Sequence, residues 1–351
     1  MDISTQAEHD DLDGVPPPKA QTALIGQNGP FKEFRSAFAA GRLHHAWLLQ
    51  GPRGVGKATA AFAFARMLLG AEPTMAEEGV SFPDQGSITR QIATDAHPGV
   101  IHVTRAAQER GAGFRSQITV DEVRRLARFF HATGAQNSYR IAIIDPADDM
   151  NRNAANALLK MLEEPPRRAI FFIINHAPGR LLPTIRSRCR FLRFSELGDD
   201  ALLAAIRAVK PDAADENADV LVEAAEGSVR RALQIAEYGG VEILKALEPL
   251  LVADRPDWNA FGAMADQLAM RGREASYDLA VEAITSTIAK ASENALRAGA
   301  LGRAAELSAL WQSEKDRVRE AAAYNLDRKQ VLFTLYDRFH EANASEHVAA
   351  A

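Results

Sequence analysis

The run GPRGVGKATAAFAFARMLLG, beginning at Gly51, constrains this chain more than any other stretch. Gly51, Gly54, Gly56 and Lys57 fit a nucleotide-binding loop of the form GxxxxGK, in which backbone N–H groups and the start of the next helix cradle phosphate. The flanks agree. AWLLQ, from Ala46 to Gln50, is a short apolar run suited to a buried strand, and the alanine-rich run from Lys57 to Leu69 is a strong helix former. Strand, glycine loop and helix in that order predict an α/β P-loop domain with a parallel sheet. The pattern breaks at one position: where Ser or Thr normally follows the lysine there is Ala58, so a direct Mg²⁺ ligand is missing.

A second break appears farther on. In RIAIIDPADDMN, Ile141, Ile143 and Ile144 read as a buried strand ending at Asp145, the place of the carboxylate that helps hold Mg²⁺ in P-loop ATPases. Many such enzymes follow it with a Glu that polarises water; here Pro146 follows, with neither a carboxylate nor an N–H. Asp148 and Asp149, a few residues later, read as solvated loop charges. A third buried strand, AIFFIIN, ends in Asn175, where a nucleotide-sensing residue would sit, although a strand-ending Asn is also an ordinary turn former. In LLPTIRSRCRFLRF, Arg186, Arg188, Arg190 and Arg193 alternate with less polar residues too irregularly for a simple amphipathic helix. Earlier, Phe31 to Arg42 has helical apolar spacing, with Gly41 as its terminator.

Composition sets the outer limits. At 351 residues, 47% hydrophobic and 25% charged, the chain has room for two or three domains. A formal charge of −5 argues against coating nucleic acid by bulk electrostatics and leaves only local contacts. The single cysteine, Cys189, excludes an internal disulfide framework and a cysteine-based zinc module, and fits a reducing, cytoplasmic setting. Asp2, Glu8, Asp10, Asp11 and Asp13, followed by Pro16, Pro17 and Pro18, predict a disordered leader over residues 1–21 rather than a secretory signal. Nothing approaches the roughly 20 apolar residues that span a bilayer.

With these residues in hand the chain resembles the bacterial clamp-loader AAA+ proteins. The resemblance is carried by LIGQ at Leu24, GRLHHAWLLQGPRGVGK from Gly41, DAHPGV from Asp95, NAANALLKMLEEPP from Asn153, RLLPTIRSRCR from Arg180 and GSVRRAL from Gly227. NALLKMLEEPP together with SRC is far more specific than the phosphate loop alone. Clear motifs span roughly residues 22–240, and NLDRKQVLFTLY from Asn325 is a weaker match to the end of the family's C-terminal collar.

The resemblance implies an AAA+ P-loop domain over 22–195 with a degenerate nucleotide site, a three-helix lid over 196–240 and an all-α collar over 241–345. Helical patterns in ALLAAIRAV, ADVLVEAAE and VRRALQIAE, and Leu279, Ala283, Ile284 and Ile288 on one face of a later helix, agree with it. It also implies that Ser187, Arg188 and Cys189 form the SRC motif, with Arg188 reaching into a neighbouring subunit's site as an arginine finger. Arg230 matches the lid's sensor position, with a surface helix arginine as the alternative. Gly227 and Ser228 look like a helix cap, and His44 and His45 match a paired-histidine motif taken as structural because adjacent side chains point apart.

Many relatives carry a cysteine set at zinc-ligand spacing before the HP dipeptide, whereas AEPTMAEEGVSFPDQGSITRQIATDAHP has only His97 as a ligand, so no zinc is expected. RAAQERGAGFRSQ, with Arg105, Arg110 and Arg115, reads as a solvated loop or a basic loop near DNA. Together these features imply a non-hydrolysing subunit of the DNA polymerase III clamp loader that helps load the sliding clamp onto primed DNA. Its partners would be the gamma/tau ATPases and the delta subunit. It would need no cofactor, although weak ATP or ADP binding through Lys57 is compatible with the intact glycines. The alternative is an active gamma/tau-like ATPase with altered P-loop chemistry; a stand-alone kinase lacks any substrate-site signal.

Overall fold

Helix α1 (Asn28–Ala39) shows how directly local sequence sets an element. Phe31, Phe34 and Ala37, three residues apart, form its buried face. It starts earlier than the expected Phe31 and stops at Ala40. Gly41, at a φ of 64°, then lets its own N–H and that of Arg42 bond back to the Phe38 and Ala37 carbonyls. The computed structural model describes residues 8–108, 113–131, 138–177 and 179–349.

Strand β1 (Ala23–Ile25) precedes that helix, and β2 (Ala46–Gln50), the glycine loop and α2 (Lys57–Leu68) follow it. A hairpin of β3 (Thr74–Met75) and β4 (Gly79–Ser81) leads to α3 (Ser87–Ala93) and β5 (Val100–Val103). Then come α4 (Val120–His131), β6 (Arg140–Ile144), α5 (Arg152–Glu163) and β7 (Ala169–Asn175). The arginine-rich run divides into a short helix, α6 (Pro183–Arg186), and an outer strand, β8 (Arg190–Arg193), which explains its mixed pattern.

The main sheet has the order β5-β6-β7-β2-β8, with every pairing parallel. All seven residues of β7 are buried. A strand covered on both faces needs no polar alternation. On one face Leu48, Ile144, Phe171 and Ile173 pack with Leu126 and Phe130 of α4 and Leu158 of α5. On the other, Phe34 stacks on Phe64 at 4.2 Å, and Trp47 and Phe172 stand 5.0 and 5.4 Å from it. The chain leaves β2 for β5, three places away, so the glycine loop opens where strand order reverses, the usual ligand position in such sheets. A separate antiparallel sheet, β1-β4-β3, occupies part of the segment where relatives carry cysteines.

The opening segment departs from the expected disorder. From Glu8 onward it is packed: Lys19 is 1% exposed, lies 2.8 Å from Glu8, pairs with Asp95, and its carbonyl accepts from the buried guanidinium of Arg66. The acidic composition that favours disorder when charges stand alone is answered here by specific cations. Residues 1–7 lie outside the described residues.

Met1–Ala218 with Ala225–Leu233 make one compact unit, and Asp219–Ala224 with Gln234–Ala351 another. The segment expected as a three-helix lid holds four helices: α7 (Asp199–Val209), α8 (Pro211–Glu216), α9 (Ala218–Ala225) and α10 (Val229–Glu237). The additional one, PDAADE, is short and polar, with a proline at its first position.

The second unit contains α11 (Gly240–Val252), α12 (Trp258–Leu268), α13 (Glu274–Arg297), α14 (Leu301–Ala323) and α15 (Arg328–Ala349). Leu279, Ile284 and Ile288 are buried on α13, with Ala283 partly so, as their spacing predicts. Phe261 and Tyr336 stack at 3.9 Å, and the Tyr336 hydroxyl is placed to donate to Leu250 O at 3.2 Å. Glu314 is fully buried between Arg317 and Arg338, which keeps its charge compensated. Among the described residues, no helix is long and apolar enough to cross a membrane.

Candidate nucleotide cleft

The glycine loop joins the end of β2 to the start of α2. Gly54 sits at a φ of 83°, and a Cβ there would come within 2.2 Å of Ser228 Oγ and 2.7 Å of Arg230 Cβ. Only glycine allows this close approach to the start of α10. The Arg230 N–H donates to Gly54 O, and the Ser228 hydroxyl donates to Arg53 O at 3.1 Å, beyond the helix-cap role expected of it. Arg230 itself lines the cleft, with its side chain half-buried.

Lys57 is 3% exposed and its Nζ donates to Gly51 O at 2.7 Å and to Pro52 O. Burial pushes its pKa down to about 8, against the opposing pull of Asp145 and Asp148. Asp145 caps β6, with its Oδ2 3.9 Å from His102 Nε2. Asp148 is not a solvated loop charge. It accepts from Asn175 Nδ2 and His176 N, both at 2.6 Å, and from Ala177 N at 3.2 Å. Asp149 likewise binds Arg105, Nε to Oδ2 at 2.6 Å. Asn175, fully buried, has its carbonyl oxygen 3.3 Å from Gln50 Nε2, so its amide ties the ends of two strands to the turn after a third.

Several cleft residues carry no motif signal. Arg53, Thr59, His102, His176, Glu8 and Asp10 line one cavity with Lys57, Ala58, Asp145 and Arg230. Thr59 lies one residue beyond the usual hydroxyl position, a rotation of about 100° around the helix. Burial, then Lys57, keeps His176 below its ordinary pKa. Burial also opposes the charge on His102, but Asp145 and Glu8 outweigh it and hold the ring up to about 9. Glu8 is half-buried, and although burial works against its charge, His102 and Lys19 bring its carboxyl down to about 2.

These directions set a pH window. The raised His102 contributes stability fully below its ordinary 6.5 and loses it as pH rises through about 9. The lowered Glu8 contributes fully above its ordinary 4.5 and loses it as pH falls through about 2. The urea-midpoint difference between wild type and His102→Asn is therefore expected to be largest between those two ordinary values and to narrow toward pH 9. A difference constant from pH 5 to pH 9 contradicts this linkage.

The arrangement fits a phosphate better than a phosphate with its metal. Loop N–H groups, the start of α2 and Lys57 supply the cradle. A divalent ion meets Asp145 but no hydroxyl at Ala58 and no carboxylate at Pro146. Among the described residues, no group of three or more His, Cys, Asp or Glu is placed to hold a metal.

The remaining motif residues lie elsewhere. Arg188 does not line the cleft; its Nη2 is 2.8 Å from Glu163 Oε1 and its Nη1 donates to Thr184 O at 2.9 Å. Ser187 donates to Thr184 O, and burial pushes the Cys189 thiol up to about 12, which makes it a poor nucleophile. His44 and His45 stack at 4.3 Å instead of diverging, and one nitrogen of each meets a backbone carbonyl, of Ala46 and Leu162. His97 Nδ1 accepts from Gly99 N at 3.0 Å. In the basic loop, Arg105 is held by Asp149, Arg115 lies 3.8 Å from Glu122, and Arg110 falls outside the described residues.

Comparison with known proteins points the same way as the motifs. Residues 26–198 match a family model described as DNA polymerase III, delta subunit. The delta' subunit of DNA polymerase III from Pseudomonas aeruginosa is 34% identical over 195 residues, covering 56% of this chain and 56% of that protein. The gamma subunit from Buchnera aphidicola is 30% identical over 227 residues, 63% of this chain and 58% of that protein. The chain thus spans little more than half the length of these relatives. A solved DNA polymerase III gamma subunit-related protein from Thermotoga maritima aligns over 86% of this chain and 95% of its own, at 17% identity and a TM-score of 0.44.

Proposed function

We propose that this chain, which matches the DNA polymerase III delta-subunit family model over residues 26–198, is a clamp-loader subunit of the delta' type that does not hydrolyse ATP. The observation that carries this reading is a double departure from the motif: Ala58, which lines the cleft, and Pro146, which follows the cleft residue Asp145. The hydroxyl that ligates Mg²⁺ and the carboxylate that activates water are absent together, while the phosphate cradle is kept. Asn175 reinforces it, because its amide is spent on Asp148 and Gln50. In this reading the subunit works in the cytoplasm beside gamma/tau ATPases and a delta subunit, helps open the sliding clamp for primed DNA, and lends Arg188 to a neighbour's active site. It requires no cofactor, although the cradle is compatible with weak ATP or ADP binding.

Purified chain is expected to show no ATP turnover above background. Multiple turnover that disappears in Lys57→Ala overturns the reading. The competing assignment, a gamma/tau-like ATPase, has one observation in its favour: Thr59 brings a hydroxyl to the cleft wall next to Ala58. Under that assignment Thr59→Val abolishes a measurable turnover.

A metal measurement bears on the cysteine-free segment around β3 and β4. Protein prepared without a polyhistidine tag is expected to contain less than one zinc per chain. One tightly held zinc per chain contradicts the expectation.

A further inference from the structure

Three groups of the cleft, Arg53, Arg230 and His102, are already met by carboxylates from the same unit. Asp10 Oδ1 lies 2.5 Å from Arg53 Nη2 and 3.9 Å from Arg230 Nη2, and Arg230 Nη1 donates to the Asp10 carbonyl. Two residues earlier, Glu8 Oε2 lies 2.9 Å from His102 Nδ1, on the other side of which stands Asp145. Arg53 belongs to the glycine loop and Arg230 to the helix that closes over it, so both guanidiniums border the place where the loop cradles phosphate.

The segment bearing these carboxylates is held in place. Lys19 fixes its far end through Glu8 and Asp95, and the Arg66 guanidinium fixes the Lys19 carbonyl. Pro16, Pro17 and Pro18 stiffen the connection, and Asp11 Oδ2 accepts from Glu8 N at 2.7 Å, which tightens the turn that presents Asp10. An anion tethered this way faces its cations at a high effective concentration without contact from any other molecule.

We infer that residues 8–11 act as an intramolecular anion that competes with the phosphates of a nucleoside di- or triphosphate for Arg53 and Arg230. The inference rests on reading this cleft as a nucleotide cleft. Carboxylate and phosphate both use the planar guanidinium fork, and both carry negative charge, so the two cannot share the same pair of arginines at full strength. Nucleotide entry therefore requires Asp10 to move out. The low nucleotide affinity of such a subunit then comes partly from its own N-terminal segment, in addition to the substitutions in the loop.

Equilibrium titration of the full chain with fluorescent ADP and ATP analogues tests this. Asp10 and Arg53 are partly solvent-exposed, so screening limits the gain: Asp10→Asn is expected to tighten binding about three- to tenfold. Asp13→Asn, the same change of charge at an exposed neighbour, is expected to leave binding as in wild type. Asp10→Ser, which removes the same carboxylate with a smaller side chain, provides the same reading if Asp10→Asn lowers the melting temperature. Failure of both variants to tighten binding, including no detectable binding in any form, overturns the inference. Turnover plays no part in this titration, so its outcome is separate from the hydrolysis result that tests the non-hydrolysing role.

Discussion

Arg188→Ala is expected to leave the chain folded and able to join its assembly, yet to slow DNA- and clamp-stimulated ATP hydrolysis by that assembly markedly. Within its own chain Arg188 contributes little: it pairs at the surface with Glu163 at 2.8 Å, and exposed pairs of this kind are typically worth only about 0.2–1 kcal/mol. It lines no part of its own cleft. A guanidinium that stays charged and offers a planar fork is suited to phosphate oxygens and to charge that develops during transfer. Arginine fingers can be worth roughly 10³ to 10⁵ in rate at one site. An assembly with several ATPase sites should lose less overall, because only one site would borrow this finger. Arg188→Lys keeps the charge but loses the fork, and is expected to restore only part of the rate. Gel filtration verifies assembly, and steady-state phosphate release on the same preparation gives the rate. Wild-type hydrolysis in a fully assembled Arg188→Ala complex would reduce Arg188 to a surface arginine.

What the sequence disclosed and what it hid have different physical origins. β2, the glycine loop and α2 were legible because strand, turn and helix each leave a local signature, and the three occur in succession. The surroundings of Asp148 and Asn175 were not, because a carboxylate that accepts three bonds and one that faces water look alike in a sequence. Arg53 and Arg230 meet Asp10 across 43 and 220 residues, and no periodicity marks such a meeting. The same distance hid the order of the opening segment, whose Glu8 and Asp10 find their partners at His102, Arg53 and Arg230. Strands β1, β3 and β4, two or three residues long, are too short to show alternation. The stacked histidines show another limit: neighbours on a regular element diverge, but His44 and His45 precede β2 and obey no such period.

The largest stability effect is expected at Phe34. Its ring is fully buried, stacks on Phe64 at 4.2 Å and lies 5.0 and 5.4 Å from the rings of Trp47 and Phe172, joining α1 and α2 to the two strands β2 and β7. Removing a ring from such a site loses its transfer energy and leaves a cavity walled by rings on a helix and two sheet strands, with little freedom to collapse. Phe→Ala changes in cores typically cost about 3–5 kcal/mol, a large share of the roughly 5–15 kcal/mol that holds a domain folded. Phe34→Leu retains more volume and should cost less. Phe38, one turn along on the same helix, is only half-buried, so Phe38→Ala should cost clearly less than Phe34→Ala. Because Trp47 and Phe172 lie on the strands that lead to the glycine loop and to Asn175, slack at Phe34 should also weaken whatever nucleotide binding the cleft retains. Urea unfolding of the three variants, followed by circular dichroism, checks the ranking; a Phe34→Ala midpoint equal to that of Phe38→Ala would show that the rings are not packed as described.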